Sequence, residues 1–444
     1  MDKKNLYDLI PKEIVEKYNI DSVDFDGKIP IISSKNKATK DMKETLSTIF
    51  GEDLRINTKI IKSDSSIEDL IDQIIKESII QRASDIHFEP KKDNIIIRFR
   101  IDGILQIYSS ISKKIYQNAI SYLKIKSRLD ITEKRMPQEG GHSMFFDGKN
   151  YDIRLSTIPT LYGEKVALRI LPSDKILNSI EDLGIRKNDA QILKSFFKKK
   201  NGAVIISGPT GSGKSTTLHI LLNYIGKDER NVITIEDPIE IIDDNFNQIQ
   251  LNEDIGLTYP LLLKKILRQD PDVILIGEIR DSETAKISCE ASLTGHLILT
   301  TIHTKDCESI VLRLLEMGLE PYLISSSLDI LISQRLLRKV CDNCRIEEEL
   351  PESILNQYGI KRNYIGKGCL NCNYTGYYGR IGVFEIIQLS EQTKKLILHP
   401  ETTEEIVKSI RNDCKTNLKS NIIELINSGI SNIYEMLRVI ECLN

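Results

Sequence analysis

The sequence lacks an excess of either charge. Its 444 residues include 61 lysines and arginines against 64 aspartates and glutamates, which gives a formal net charge of −3. Proteins that wrap duplex nucleic acid usually carry a basic excess, because neutralising phosphates supplies most of their affinity. Any nucleic-acid-binding face would have to be local, and we expect no direct contact with nucleic acid.

Long hydrophobic runs are also missing. Apolar stretches such as Val273-Ile274-Leu275-Ile276 stop well short of the roughly 18 residues that suggest a membrane-spanning helix. The opening residues, Met1 to Asp8, are charged and lack the apolar core of a secretory signal. These absences predict a cytoplasmic protein.

Cysteines are few, and the eight present are too sparse for a disulfide scaffold. Their spacing therefore matters more than their number. Hydrophobic residues, by contrast, make up 40% of the chain. That share is enough to build the cores of two to four folded units at roughly 100–200 residues each.

The N-terminal part of the chain has two different patterns. Residues 1–60 contain no long periodic segment, so we assign them to a short N-terminal region of unknown function. Residues 61–171 have an α+β pattern. There a capping box of Ser65 and Glu68 begins an amphipathic helix, and Asp102-Gly103 marks a tight hairpin between two strands.

The pattern changes again after a predicted linker over 172–184. From 185 to 444, apolar strands alternate with helical segments. This alternation is typical of a three-layer domain with a largely parallel sheet. The expected fold class is therefore α/β.

A complete phosphate-loop motif, G-x-x-x-x-G-K-[ST], lies in this second domain between an apolar strand and a helix. Its glycines let successive N–H groups and the helix N-terminus face the phosphates of a nucleotide. Lys214 is expected to reach the β- and γ-phosphates of ATP, and the hydroxyl of Ser215 to bind Mg²⁺. The predicted nucleotide-binding residues are Gly208, Pro209, Thr210, Gly211, Ser212, Gly213, Lys214, Ser215 and Thr216.

Two apolar strands further along the chain end in carboxylates. Glu236 closes the first, and Glu278 follows the second. A carboxylate beside a phosphate site can hold Mg²⁺ through water or orient an attacking water. The alternative is that each acid marks only a solvated turn.

His296 and His303 are two of only six histidines, and an apolar run separates them. Their spacing of seven allows both to lie near the sheet edge that faces the nucleotide. A structural role in the core is the alternative, since a buried histidine is more often structural than catalytic.

Four cysteines, Cys341, Cys344, Cys369 and Cys372, form two C-x-x-C pairs that are separated by 24 residues. Each pair offers two thiolates from one tight turn, and together they complete a tetrahedral shell for Zn²⁺. Four protein ligands leave no open coordination position, so the predicted zinc site is structural. The alternatives are a redox dithiol or unrelated thiols.

Several motifs together resemble the type II/IV secretion ATPase superfamily, and most closely its PilB/GspE-like assembly ATPases. The resemblance extends over about 61–444. In addition to the phosphate loop and the histidine segment, it is carried by Ala83–Pro90, Arg98–Gly103, Leu129-Asp130-Ile131, Ile235–Glu240 and Gly277–Asp281.

The resemblance implies a PAS-like N-terminal domain over 61–171 and a RecA-like ATPase domain over 185–444. The second would include a tetracysteine zinc subdomain over 338–380 and a helical C-terminal part over 390–444. Six subunits of this kind would form a ring.

The resemblance also implies roles for single residues. Glu236 matches the family's general base or water-orienting carboxylate, and Glu278 matches its atypical Walker B acid, which serves Mg²⁺. His296 and His303 match histidines that sense the γ-phosphate.

Arg154 and Arg169 match arginines of the N-terminal domain that contact nucleotide phosphates. Without the resemblance they would be interpreted as arginines on a solvated sheet face. The family's Q-D-G-R element is Gln138-Glu139-Gly140-Gly141 here, so its arginine is absent.

The function that the resemblance implies is a hexameric motor in type IV pilus assembly or type II secretion. ATP hydrolysis would drive pilin or pseudopilin polymerisation through a polytopic platform protein of the inner membrane. The protein would work at the inner face of that membrane, held there by its partners.

Three alternatives remain. One is a retraction-type pilus ATPase, which the cysteine quartet disfavours. Another is a nucleic-acid translocase on a RecA-like core, for which 113–135, with seven lysines and arginines against two acids, offers a local basic face. The third is a scaffold that binds ATP but hardly hydrolyses it.

Overall fold

The computed structural model describes residues 9–18, 20–26, 29–34, 40–51, 55–58, 66–172, 179–226, 229–399 and 402–440. The chain divides into two compact units, Met1–Asp174 and Lys175–Asn444. The division falls inside the predicted linker.

The N-terminal unit begins with a small sheet that has a core of its own. Its elements are α1 (Lys12–Tyr18), β1 (Ile20–Asp26), β2 (Ile29–Ser34), α2 (Lys40–Phe50) and β3 (Arg55–Thr58). Strand β2 pairs antiparallel with β1 and parallel with β3. Val23, Ile32, Met42 and Leu46 are fully buried in this core. The strands are short and β1 is rich in aspartate, which is why periodicity did not predict them.

The rest of this unit is a six-stranded antiparallel sheet with two helices. Its elements are α3 (Ile67–Ile80), β4 (Ala83–Pro90), β5 (Asn94–Ile101), β6 (Ile104–Ser112), α4 (Lys113–Lys126), β7 (Gln138–Phe146), β8 (Lys149–Thr160) and β9 (Gly163–Pro172). The strand order is β6-β5-β4-β9-β8-β7. Apolar residues of α3, α4 and the sheet form one core. The α+β pattern predicted for this region is confirmed.

Two local predictions have different outcomes. Asp102 and Gly103 have φ values of 49° and 88°, as a two-residue hairpin between β5 and β6 requires. The predicted cap Ser65 lies outside the described residues. The side chain of Ser66 accepts a hydrogen bond from the backbone N–H of Asp69, so the helix cap is one position later than expected.

A buried ion pair connects α4 to β9. Lys124 Nζ lies 2.6 Å from Glu164 Oε1, and the two side chains are only 1% and 8% exposed. Lys124 also donates to the carbonyl oxygen of Glu133 (2.6 Å). The lysine therefore fixes the loop after α4 as well as the helix itself.

We expect Lys124→Met to lower the free energy of unfolding of this unit by about 3 kcal/mol, because Glu164 would stay buried without its partner. The control is Lys126→Met. Lys126 pairs with Asp72 at 2.7 Å, but both side chains are about 30% exposed, so its loss should cost less than about 1 kcal/mol. Urea unfolding of the full chain, followed by circular dichroism, measures both. Equal effects would contradict the structural role given to Lys124.

The C-terminal unit is built on a seven-stranded sheet with the order β12-β11-β13-β14-β10-β15-β18. Its pairings are parallel except for β15 with β18. The elements up to β15 are α5 (Lys187–Phe196), β10 (Gly202–Ser207), α6 (Lys214–Ile225), β11 (Val232–Glu236), β12 (Asn247–Gln250), α7 (Tyr259–Ile266), β13 (Val273–Ile276), α8 (Ser282–Leu293), β14 (Leu297–Ile302), α9 (Glu308–Glu316), α10 (Pro321–Ser327) and β15 (Leu328–Val340).

Both faces of this sheet are covered by hydrophobic cores. In β10, Ala203 and Ile205 belong to one core, while Val204 and Ile206 belong to the other. Alternation of this kind places successive side chains on opposite faces. The predicted three-layer α/β arrangement is confirmed.

The chain after β15 adds a small insertion and a helical end. Its elements are β16 (Arg345–Glu348), α11 (Glu352–Tyr358), β17 (Asn363–Gly366), β18 (Tyr377–Gln388), α12 (Glu391–Leu398), α13 (Thr403–Asp413), α14 (Leu418–Asn427) and α15 (Ile433–Ile440). Leu337 of β15 and Val383 of β18 share a core with α14 and α15. In the part of the chain that the structure describes, no helix is both long and apolar enough to cross a bilayer.

Candidate functional site

The phosphate loop joins the end of β10 to the start of α6. Gly208 has a φ of 150°, and a Cβ there would lie 2.6 Å from the carbonyl oxygen of Gln334. Gly213 caps α6 with a φ of 89°. Both positions therefore need glycine, since a side chain would be strained or would clash. The first turn of α6 begins with N–H groups that have no partner within the helix, which suits an anion.

Lys214 is held across the mouth of this loop. Its Nζ donates to the carbonyl oxygens of Gly208 (2.8 Å) and Pro209 (3.2 Å). Burial lowers the pKa of Lys214, and nearby Arg335 acts in the same direction, while Glu278 opposes it. An additional anion at the loop would favour the charged ammonium further.

The loop residues fit a nucleotide phosphate group. Ser212 is 3% exposed, and its hydroxyl makes no hydrogen bond among the described residues. Such an orphaned buried donor is uncommon in folded proteins. Together with the glycines, the lysine and the helix N-terminus, it forms a cradle of donors. Ser215 follows Lys214 at the same helix end, where its hydroxyl can coordinate Mg²⁺.

Glu278 lies two residues beyond β13, at the carboxyl edge of the sheet. Its carboxylate accepts a hydrogen bond from His303 Nε2 (2.8 Å) and another from Arg280 Nε. Burial raises the pKa of Glu278, but these two partners outweigh burial and hold it below the usual value. Because parallel β13 and β14 are neighbours, their carboxyl ends meet and bring Glu278 and His303 together.

His296 does not lie at this edge, so the expectation that both histidines share it is wrong. Leu297, the next residue, pairs with Gly202 at the start of β10. The Nδ1 atom of His296 lies 3.0 Å from the carbonyl oxygen of Ala291. Seven residues of strand span about 23 Å. The spacing therefore equals the full length of β14 and places the two histidines at its opposite ends.

Glu236 ends β11 and is buried, with 6% exposure. Its Oε1 accepts hydrogen bonds from Thr234 Oγ1 (2.8 Å) and Gln248 Nε2 (3.0 Å), and its Oε2 from His219 Nε2 (3.4 Å). Burial raises the pKa of Glu236, but the hydrogen bonds from His219 and Thr234 outweigh burial, so the pKa lies below its usual value. The group is therefore an ionised carboxylate near neutral pH.

Arg154 and Arg169 lie directly opposite each other in the register of β8 and β9. Arg169 is 60% exposed and pairs with Asp85 at 3.2 Å. Like charges directly opposite in a sheet are destabilising. In the N-terminal unit Asp85 offsets the charge of Arg169.

The four predicted zinc ligands come together between β15 and β18. The Sγ–Sγ distances are 3.8 Å for Cys341 and Cys369, 3.9 Å for Cys344 and Cys372, and 3.8 Å for Cys369 and Cys372. All four sulfurs lie within 4.8 Å of one another. A tetrahedron with Zn–S bonds near 2.3 Å has edges of about 3.8 Å. These three distances match the tetrahedral edges, so the quartet fits a zinc ion.

The sequence profile of the family described as "Type II/IV secretion system protein" matches residues 61–438. The chain belongs to this family. The Type IV pilus assembly ATPase PilB of Thermus thermophilus is 40% identical over 386 residues, covering 85% of this chain and 43% of that protein. The Type II secretion system protein E of Aeromonas hydrophila is 38% identical over 381 residues, covering 85% of this chain and 76% of that protein.

The fold of this family member also matches a solved relative. The X-ray structure of the Legionella pneumophila ATPase DotB aligns with a TM-score of 0.65 and 19% identity, covering 86% of this chain and 98% of that one. The resemblance inferred from the motifs is confirmed. The alignment with the PilB relative spans less than half of that protein's length.

Two residues of the site were given no role in the sequence analysis. Gln334 of β15 donates through Nε2 to the carbonyl oxygen of Ser212 (2.8 Å) and so holds the phosphate loop. Arg280 bridges Glu278 and Asp237, joining the two acidic segments. Arg280 lies in a motif that was noticed, but Gln334 gave no signal, because its role depends on β15 lying beside β10.

Proposed function

We propose that this chain is a motor ATPase that couples ATP hydrolysis to pilin or pseudopilin polymerisation. The observation that carries the proposal is the convergence at one sheet edge of a complete phosphate loop, Glu236, and the Glu278–His303 pair. A loop alone would suit many nucleotide-binding proteins. Ionised carboxylates at neighbouring strand ends add the groups that water activation and metal binding need.

In this proposal the phosphate loop and Lys214 bind the β- and γ-phosphates of ATP. Ser215 and Glu278 would hold Mg²⁺, which would neutralise phosphate charge. Glu236 orients the attacking water, and His303 senses the γ-phosphate through its bond to Glu278.

The remaining assignments follow from the family. Arg154 and Arg169 contribute positive charge to the phosphates, an assignment that rests on the motifs shared with the family. For His296, which lies at the far end of β14, the structure offers no support as a γ-phosphate sensor in its own subunit. The tetracysteine quartet holds a structural Zn²⁺.

We further propose the assembly in which the motor works. Six copies form a ring, with a PAS-like domain over 61–171 and a RecA-like domain over 185–444 in each. The ring acts in the cytoplasm at the inner face of the membrane through a polytopic platform protein. The names of the relatives support these assignments, since they include a pilus assembly ATPase and type II secretion proteins.

The proposal is tested by phosphate release from the purified full chain. Lys214→Ala should lower ATP turnover by about 100-fold, because one fixed positive charge on the phosphates would be lost. Lys408→Ala, at an exposed position of α13, is the control and should leave turnover unchanged.

Two further additions decide what the motor serves. The cytoplasmic part of a platform protein encoded beside this chain should raise turnover, and duplex DNA should not. Stimulation by DNA with strong salt dependence, and none by the platform protein, would instead identify a translocase. Equal turnover in the wild type and Lys214→Ala would overturn the ATPase assignment itself.

A further inference from the structure

His219 lies on the helix that follows the phosphate loop and points into the protein. It is 3% exposed, and its ring lies 6.4 Å from that of Phe246, centre to centre. It comes five residues after Lys214, so any movement of the loop helix moves the histidine as well. Nothing in the function proposed above uses this side chain.

The hydrogen bonding of His219 indicates which ring nitrogen carries the proton. Nε2 lies 3.4 Å from Glu236 Oε2, whereas Nδ1 is buried and has no hydrogen-bond partner among the described residues. Since an ionised carboxylate can only accept, Nε2 carries a proton and donates it to Glu236.

The two oxygens of Glu236 are held differently. Oε1 accepts two short hydrogen bonds, from Thr234 on the same strand and from Gln248 on the adjacent strand. Among the residues that the structure describes, Oε2 accepts only the long bond from His219. Oε2 is thus the oxygen with capacity left for a water molecule, and the restraint seen on it comes from the phosphate-loop helix.

From this geometry we infer that His219 is a positioning residue, which aligns Glu236 Oε2 with the water that attacks ATP. The inference rests on the function proposed above. In that step the water oxygen forms a bond to the γ-phosphorus, and the bond to the β,γ-bridging oxygen breaks with its electron pair leaving on ADP. The water proton passes to Glu236 Oε2. His219 touches neither water nor nucleotide and acts through the carboxylate alone.

The test compares three single variants by steady-state ATP hydrolysis. His219→Leu removes the donor but keeps the bulk, and should lower kcat about tenfold by misaligning the carboxylate. Its KM for ATP should stay within about twofold, since the phosphate contacts remain. His219→Gln retains an N–H donor at a similar reach and should recover most of kcat.

The matched control is Asn223→Ala. Asn223 lies one turn further along α6, and its side chain donates to the carbonyl oxygen of His219 (2.9 Å). The change disturbs the same helix without removing the donor to Glu236, so kcat should stay near wild type. A loss in Asn223→Ala equal to that in His219→Leu would mean general damage to the helix and would overturn the inference.

A double-mutant cycle separates positioning from any independent effect. If His219 acts through the carboxylate, His219→Leu should cost almost nothing further in a Glu236→Gln background. A full tenfold loss there would overturn the inference. So would an unchanged kcat in His219→Leu while the wild type is active, an outcome that leaves the proposed ATPase function standing. An inactive wild-type chain would overturn both.

Discussion

Glu236→Gln should lower kcat for ATP hydrolysis by about 1,000-fold while ATP still binds. Glutamine keeps the size of the side chain but cannot accept the proton of the attacking water. The hydrogen bonds from Thr234 and Gln248 to Oε1 can persist, so the strand end should keep its shape. The phosphate loop follows a different strand, β10, and should bind ATP normally.

The measurement is single-turnover phosphate release, together with the affinity for ATP. Glu290→Gln, at an exposed position on α8, gives the same chemical change away from the sheet edge and should be silent. If Glu236→Gln hydrolyses ATP at the wild-type rate, another group activates the water. Glu278 is then the first candidate, because it follows the neighbouring strand β13 and lies near Lys214 of the phosphate loop.

The parts of the site that sequence predicted are those that a local pattern defines. Lys214 and Ser215 follow from eight consecutive residues whose spacing fixes a loop and a helix start. Glu236 and Glu278 follow from strands that each end in an acid. These residues can be predicted to lie close together, because the carboxyl ends of parallel strands meet at one edge of the sheet.

The parts that sequence missed depend on strand order and on helix orientation. Gln334 reaches the phosphate loop only because β15 lies next to β10, although more than 120 residues separate it from Ser212 in the chain. His219 meets Glu236 only because the fold brings a side chain of α6 to the end of β11. Neither relation leaves a mark in local composition.

The error over His296 has a related cause. A spacing of seven places two histidines at one edge of a sheet only if the residues between them turn back. Leu297–Ile302 is instead a continuous strand that crosses the sheet. The length of β14, rather than the spacing alone, determines how far apart the two histidines lie. The basic stretch over 113–135 is helical only as far as Lys126, where α4 ends.

The zinc site should have the largest effect on stability. Purified wild-type chain should contain one Zn²⁺, and Cys341→Ser or Cys369→Ser should contain none. Because the binding energy of a structural zinc contributes directly to folding, the loss should exceed about 5 kcal/mol for the local subdomain. Metal analysis and thermal unfolding measure the two effects.

Loss of zinc should destabilise the end of β15 near the cysteines more than the part of the strand near the phosphate loop. Cys341 directly follows this strand and is completely buried, so the end of β15 and the β16–β17 hairpin should loosen first. Gln334 lies further back on the strand, where it pairs with Phe384 of β18 and follows Ser333, the last residue of β15 that pairs with β10. ATP turnover should therefore fall much less than stability does. Cys414→Ser, a half-buried cysteine outside the quartet, should keep both metal and unfolding midpoint. Unchanged zinc content in Cys341→Ser would mean that the four sulfurs do not form the ligand shell.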